Sequence, residues 1–345
     1  MSAAAALGFF AAFALALVST LVTRAMARRY GVVAHPRADR WHQRPTATLG
    51  GVAIALGFSV PVLALGPVHE VGPVIALALL VTALGVADDL RHLTPAAKLA
   101  GQTMVAVGAL AAGYRLGWTG SMTADSLLTL LWLVGLTNAF NLLDNMDGLA
   151  AGVALIGATA YLMLALAHGA SWDGLMLAAY AGATAGFLVF NFPPASIFMG
   201  DAGSLFLGFT LALLAVRAGA GLGARGPSAF AIPVAILAVP ILDTTLVTLV
   251  RGLAGRSILA GGRDHASHRL VALGLSERGA VLALCGCAGL GAAAGVSAHM
   301  VGARHAVSII GSFLLGLILF GVRLGRIRDV GAQVSDWTTR DGPPP

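Results

Sequence analysis

The sequence predicts an all-α, polytopic integral membrane protein of about 11 transmembrane helices, N-terminus outside and C-terminus cytoplasmic. Three observations carry this. Only 10% of the 345 residues are charged, against about 25% in a soluble globular chain. Hydrophobic residues make up 58% of the chain. Apolar runs of roughly 20 residues, enough to cross a hydrocarbon core, recur from end to end.

The spans read at about 4–23, 49–66, 73–88, 97–114, 126–143, 149–168, 174–192, 203–219, 229–250, 279–298 and 305–323. Their orientation follows from the basic residues. Segment 24–48 holds six arginines and segment 251–278 holds five. With both in the cytoplasm, 17 of the 21 Lys and Arg lie on the cytoplasmic side, and only Arg115, Arg217, Arg225 and Arg304 lie outside. The net charge of +6 therefore reflects topology and contact with anionic lipid, not nucleic-acid binding.

Taken in order, the first span precedes any positive charge, since Arg24 comes after it. It reads as a signal anchor rather than a cleaved leader. Span three ends in Asp88 and Asp89, and span four starts beside Lys98, the only lysine in the chain. Span five ends in "NAFNLLDNMDGLAAG", where Asn138, Asn141, Asp144 and Asp147 recur every third residue. Span seven runs into "FNFPPASIFMGDAGS", with Asp201 before a helix start at Ser204. Span nine carries an acid, Asp243, which needs a partner there. Span ten holds the two cysteines, Cys285 and Cys287, on different helix faces, so neither a disulfide nor a metal site is expected. The 45 glycines suit close helix packing. Residues 1–325 are expected to form one membrane-embedded domain, and the polar tail 326–345 a disordered cytoplasmic end.

Most of the acids therefore gather on the cytoplasmic side. Charges near a bilayer are costly and usually functional, and hard oxygen ligands suit Mg²⁺. Residues three apart are helix neighbours, but each step also turns by about 60°. Asn138 and Asp147 share one site only if "DNMDG" ends the helix at Gly148. Read alone, the segment is equally a helix C-terminus with solvated polar groups. "GVADDLRHLTPAAKL" offers two adjacent carboxylates and, ten residues after Asp88, a compact ammonium suited to phosphate. Read alone, these are a solvated loop and a snorkelling lysine. A helix N-terminus after "FMGDAGS" favours anions. "GRDHASHRL" gathers His265, His268 and Arg269 as candidates for a pyrophosphate or a lipid phosphate. "HPRADRWHQRPTATLGG" supplies Arg40 and His42, either as a lid or headgroup contact or as topogenic charge.

"ADDLRHLTPAAKL", "NAFNLLDNMDGLAAG", "FNFPPASIFMGDAGSL" and "RDHASHRL", in this order and on one face, resemble the polyprenyl-phosphate N-acetylhexosamine-1-phosphate transferases. These are the MraY/WecA-like glycosyltransferase family 4, and the similarity runs from about Arg40 to Leu275. The resemblance implies an enzyme at the cytoplasmic face of the cell membrane. Polyprenyl (undecaprenyl) phosphate attacks a UDP-N-acetylhexosamine, UMP leaves, and the first lipid-linked intermediate of a cell-envelope glycan forms. It implies Mg²⁺, with Mn²⁺ as a substitute, and a homodimer. Residue by residue, it implies Asp88, Asp89, Asp144 and Asp147 as catalytic and Asp147 and Asp201 as metal ligands. Lys98, Asn138, Asn141, Asn191, Arg40, His42, His265, His268 and Arg269 would meet the substrates. The stretch Ala266–Leu270 lacks the adjacent histidines of several branches and the Phe-Glu of the muramyl-pentapeptide branch. That favours a GlcNAc-like donor over phospho-MurNAc-pentapeptide. Two other classes fit less well. An ion-coupled transporter would carry acids near the midplane and paired repeats. A CDP-alcohol phosphatidyltransferase would carry an arginine that "DGLAAG" lacks.

Overall fold

The computed structural model describes residues 3–34, 45–221, 227–257, 262, 264–301 and 303–327. The helices are α1 (Ala3–Arg29), α2 (Gly50–Leu65), α3 (Val68–Arg91), α4 (Pro95–Ala111), α5 (Met122–Leu143), α6 (Leu149–Ala167) and α7 (Ser171–Asn191). They continue as α8 (Gly200–Gly221), α9 (Pro227–Ile236), α10 (Ala238–Leu253), α11 (Ala266–Ala272), α12 (Glu277–Val301) and α13 (Ala303–Gly325). Among the described residues, eight helices are long and apolar enough to cross a membrane: α1, α3, α5, α6, α7, α8, α12 and α13. The chain is an all-α polytopic membrane protein.

Each expected span coincides with a helix, with one change of shape. The span expected at 229–250 is two helices, α9 and α10, bent by 78° at Leu237. Pro240 explains the break. It has no N–H for the Ile236 carbonyl, and its ring crowds that carbonyl. Two other expected spans, α2 and α4, are only 16 and 17 residues long.

Helix α8 is the most enclosed of the spans, packed on α3, α5 and α2. Bare backbone makes this closeness feasible. A Cβ on Gly208 would sit 2.7 Å from the Leu136 carbonyl of α5. One on Gly186 would sit 2.5 Å from the Phe13 carbonyl, where α1 crosses α7. The small-residue composition is thus a packing device, as in other bilayer bundles.

A short ladder was not visible in the sequence. Strands β1 (Val33–Ala34) and β2 (Thr46–Ala47) pair antiparallel, and Ala47 bridges Ile197 in parallel. Phe198 N–H donates to the Ala47 carbonyl (2.8 Å), while Gly50 and Gly51 N–H donate to the Phe198 and Met199 carbonyls (3.0 and 2.9 Å). The chain just before α8 is thereby fastened to the chain just before α2.

Candidate active site

The polar residues converge where α3 and α5 end and where α4, α6 and α8 begin. Local sequence fixes each of these ends. At the end of α3, His92 turns left-handed (φ 50°) and returns its N–H to the Asp88 carbonyl. Leu93 N–H then donates to Asp88 Oδ1 (2.8 Å). Helix α4 starts at once, with Thr94 as its N-cap and Pro95 in its first turn. That places Lys98 one turn in.

Lys98 is the hub. Its ammonium lies 2.8 Å from Asp88 Oδ2 and 2.7 Å from Asp201 Oδ1, and it donates to Asn141 Oδ1 at 3.2 Å. Asn141 in turn donates to Asp201 Oδ1 and to Ser204 Oγ, the latter at 2.8 Å. Four helices therefore meet through one cation. Asp88 is buried, whereas the Asp201 side chain keeps 31% exposure and forms the open side of the cluster.

Asp89 points elsewhere. Its two carboxylate oxygens accept the Asp201 and Ala202 N–H groups (2.8 and 3.0 Å), so it caps α8 from another helix. Gly200, at φ 69°, makes the turn that brings those N–H groups to it. A carboxylate at a helix N-terminus offsets the positive end of the dipole. Asp89→Ala is expected to lower stability by about 1–2 kcal/mol, the cost of a lost cap. Asp89→Asn should retain part of it. Thermal unfolding in detergent checks the order wild type, Asn, Ala.

Asn138 lies one turn below Asn141. It exchanges hydrogen bonds with Gln102 (2.6 and 3.5 Å) and donates to the Val134 carbonyl (2.8 Å). It ties α5 to α4. Asn191, 2% exposed, accepts from Gly148 N–H (3.1 Å) and donates to the Ile197 carbonyl (3.0 Å). It joins the α5–α6 turn to the proline loop. Asp144 closes α5 as its C-cap. Asp147 Oδ2 accepts Ala195 N–H (2.7 Å). The helix ends at Leu143, earlier than the expected Gly148, and Gly148, left-handed at φ 74°, starts α6.

The histidine loop reaches the same turn. Ser267 Oγ donates to Asn145 Oδ1 (2.6 Å), fastening α11 onto "DNMDG". His265 Nδ1 lies 2.8 Å from Asp243 Oδ2, and Ala266 N–H donates to Asp243 Oδ1 (2.7 Å). The acid inside span nine thus finds two partners. His268 packs edge-on against His265. Arg269 is 2% exposed, and its Nε donates to the Asp264 carbonyl while Nη1 donates to the Leu324 and Ile327 carbonyls, all at 2.9 Å. These bonds hold the end of α13, so the described donors of Arg269 serve the scaffold. Burial pulls its guanidinium below its usual range, against the opposing pull of Asp264. Arg40 and His42 lie outside the described residues.

Asp264 stands in the loop before α11, 3.0 Å from Arg251 and 2.9 Å from Arg256. Burial alone would raise its carboxyl, but the Arg256 and Arg251 guanidiniums outweigh that and hold it below the usual carboxylate range. A depressed folded value stabilises above the unfolded value of about 3.9 and is lost as pH falls through the folded one. The unfolding midpoint of wild type should therefore exceed that of Asp264→Asn at pH 7. The gap should shrink below about pH 4.

The oxygen set of Asp201, Asp88, Asn141 and Ser204 fits a hard cation in its chemistry. Two carboxylates against one ammonium leave an uncompensated negative charge beside the open side. Among the described residues, no three His, Cys, Asp or Glu side chains form a ready metal cage.

The sequence reading gave no side-chain role in the site to Gln102, Ser204 or Gly85, and α8 starts at Gly200 rather than at the expected Ser204. The first two were legible as the helix neighbours of Lys98 (four on) and Asp201 (three on). Gly85 lies where α3 meets the start of α8: a Cβ there would sit 2.5 Å from the Asp201 carbonyl.

Residues 72–219 match the family model described as Glycosyl transferase family 4. The chain is 36% identical over 287 residues to a probable undecaprenyl-phosphate N-acetylglucosaminyl 1-phosphate transferase of Bacillus subtilis, covering 78% of this chain and 77% of that one. It is 34% identical over 334 residues to the decaprenyl-phosphate N-acetylglucosaminephosphotransferase of Mycolicibacterium smegmatis, covering 83% and 82%. It is 35% identical over 220 residues to the phospho-N-acetylmuramoyl-pentapeptide-transferase of Shouchella clausii, covering 54% and 66%.

Proposed function

The chain belongs to glycosyl transferase family 4, and on that premise we propose that it transfers GlcNAc-1-phosphate from UDP-GlcNAc to a polyprenyl phosphate. The phosphate oxygen of the lipid bonds to the sugar-side phosphorus, the bond to UMP breaks, and a polyprenyl-diphospho-GlcNAc results. The observation that carries this reading is the Lys98 ammonium held between Asp88 and Asp201 at the start of α8. The two GlcNAc-phosphate transferase relatives cover more of the chain than the muramoyl-pentapeptide relative does, which supports the smaller donor.

Phosphoryl transfer needs positioning and charge stabilisation more than covalent help. Lys98 gives its three N–H donors to Asp88, Asp201 and Asn141, so it would meet a phosphate oxygen by exchanging one of these partners for it. A phosphate monoester with a second pKa of about 6 is already mostly dianionic at neutral pH, so no strong base is needed. Asp88 is accordingly assigned to orient Lys98 and the lipid phosphate. Asp201, on the open side of the cluster, would hold Mg²⁺, with Asp147 as the second carboxylate that the family resemblance implies; the ion would supply neutralisation of diphosphate charge. The charge count of the loops supports a cytoplasmic site, with the N-terminus outside and the C-terminus inside.

The donor is tested by offering the reconstituted protein UDP-GlcNAc, UDP-GalNAc and UDP-MurNAc-pentapeptide in competition and identifying the lipid product by mass. GlcNAc-diphospholipid is expected to dominate. A dominant muramoyl product would overturn the donor assignment. Chelation by EDTA should abolish turnover, with Mg²⁺ restoring it. Turnover that survives chelation would remove the metal from the account.

A further inference from the structure

At the ends of α6 and α12 remote from the aspartates, two histidines meet. His168 is the C-cap of α6, and His299 lies in the last turn of α12. Their Nε2 atoms are 2.7 Å apart, the ring centroids 4.7 Å apart and the planes at 68°. His168 is exposed and His299 half-buried, so the pair is open to solvent.

The location separates this pair from the site already described. Helix α6 starts at Leu149, next to Asp147, and runs 19 residues before His168, about 28 Å of rise. Helix α12 starts beside Arg278, which donates to the Pro193 carbonyl near the same aspartate, and runs the same way.

We propose that His168 and His299 form a two-imidazole binding site for a borderline transition-metal ion of the Zn²⁺ or Cu²⁺ class. Four points support it. A hydrogen bond between two neutral imidazoles uses one N–H and one lone pair, so the proton occupies the place between two converged nitrogens that a metal ion would take. Zn–N bonds of about 2.0–2.1 Å need about 2.9–3.4 Å between the nitrogens, so the pair must open by a few tenths of an ångström and both rings must turn until their lone pairs meet at the ion. Neither ring has another polar partner among the described residues, and no carboxylate stands by to make the pair cationic. Imidazole binds Zn²⁺ and Cu²⁺ well and Mg²⁺ poorly, so the ion proposed for the aspartate site would not compete. Water or buffer completes the coordination, and the ion would clip α6 to α12.

The test uses full-length protein with any affinity tag removed, at pH 7.5, titrated with Cu²⁺ and followed by electron paramagnetic resonance. One ion per chain should show nitrogen couplings from two imidazoles, and Zn²⁺ should compete for the site only in large excess, since Cu²⁺ binds imidazole more tightly. His168→Ala or His299→Ala should weaken binding at least tenfold and remove one nitrogen from the spectrum. UMP release should be unchanged in both variants. If wild type binds no copper, or the double variant binds it with the same affinity and spectrum, the site does not exist. The readout is metal binding alone, so its outcome is independent of the sugar-phosphate transfer.

Discussion

Asp201→Asn is expected to reduce turnover by at least about 10³-fold while the protein still inserts and stays monodisperse, as removal of a fixed charge from a transfer site does. The side chain is nearly isosteric, so Asn141 and Ser204 keep a polar neighbour. What disappears is the negative charge 2.7 Å from the Lys98 ammonium, on the one carboxylate of the cluster that stays partly exposed. Lys98 would then lean on Asp88 alone, and the open side would lose its cation-attracting oxygen. UMP release measured beside thermal unfolding separates the two effects: activity should collapse with the unfolding midpoint nearly unchanged. Activity within tenfold of wild type would remove Asp201 from the site. Asp88→Asn and Asp147→Asn are expected to abolish turnover as well, through the loss of Lys98 orientation and of a metal ligand.

Gly85→Ala should do the reverse, damaging the fold and the activity together. The added Cβ would sit 2.5 Å from both the Asp201 carbonyl oxygen and Ala202 Cα. Both are backbone atoms, so no side chain can swing aside, and α3 must move away from α8. Overpacking of this kind costs about 3 kcal/mol. The shift falls on the contact that sets Asp88 and Asp89 against the start of α8. A displacement of about 1 Å there costs about 10²-fold in rate. The unfolding midpoint and UMP release should fall together. An unaltered midpoint would mean that the helices do not cross this closely. Gly51, whose Cβ would collide with the Gly203 backbone, marks the matching crossing of α2 on α8.

What was legible in the sequence was what depends on local chemistry. Apolar runs located the helices to within a few residues, since the hydrocarbon core dictates their length. Lys98 stood out as a lone lysine among arginines, and the structure puts it between two of the predicted aspartates. "DNMDG" reads equally as a solvated helix C-terminus or as a break that turns Asp144 and Asp147 into one site; in the structure α5 ends at Leu143 and left-handed Gly148 starts α6. What was not legible depends on partners distant in sequence. Asp89 differs from Asp88 because its oxygens meet N–H groups 112 and 113 residues away. Arg269 reads as a phosphate ligand, and its bonds to the Leu324 and Ile327 carbonyls, 55 and 58 residues away, were not legible. Asp243 announced only that it needed a partner, and His265 answered from another helix end. The 78° bend in span nine hid behind continuous hydropathy, although Pro240 signalled it.

The central claim is the transfer itself. The most direct measurement is UMP release by the purified protein given UDP-GlcNAc, undecaprenyl phosphate and Mg²⁺, with each omitted in turn. The account predicts UMP in equal amount to GlcNAc-diphospho-undecaprenol, and none when the lipid is left out. Absence of UMP from every UDP-sugar offered, from a folded and monodisperse sample with lipid and Mg²⁺ present, would contradict it.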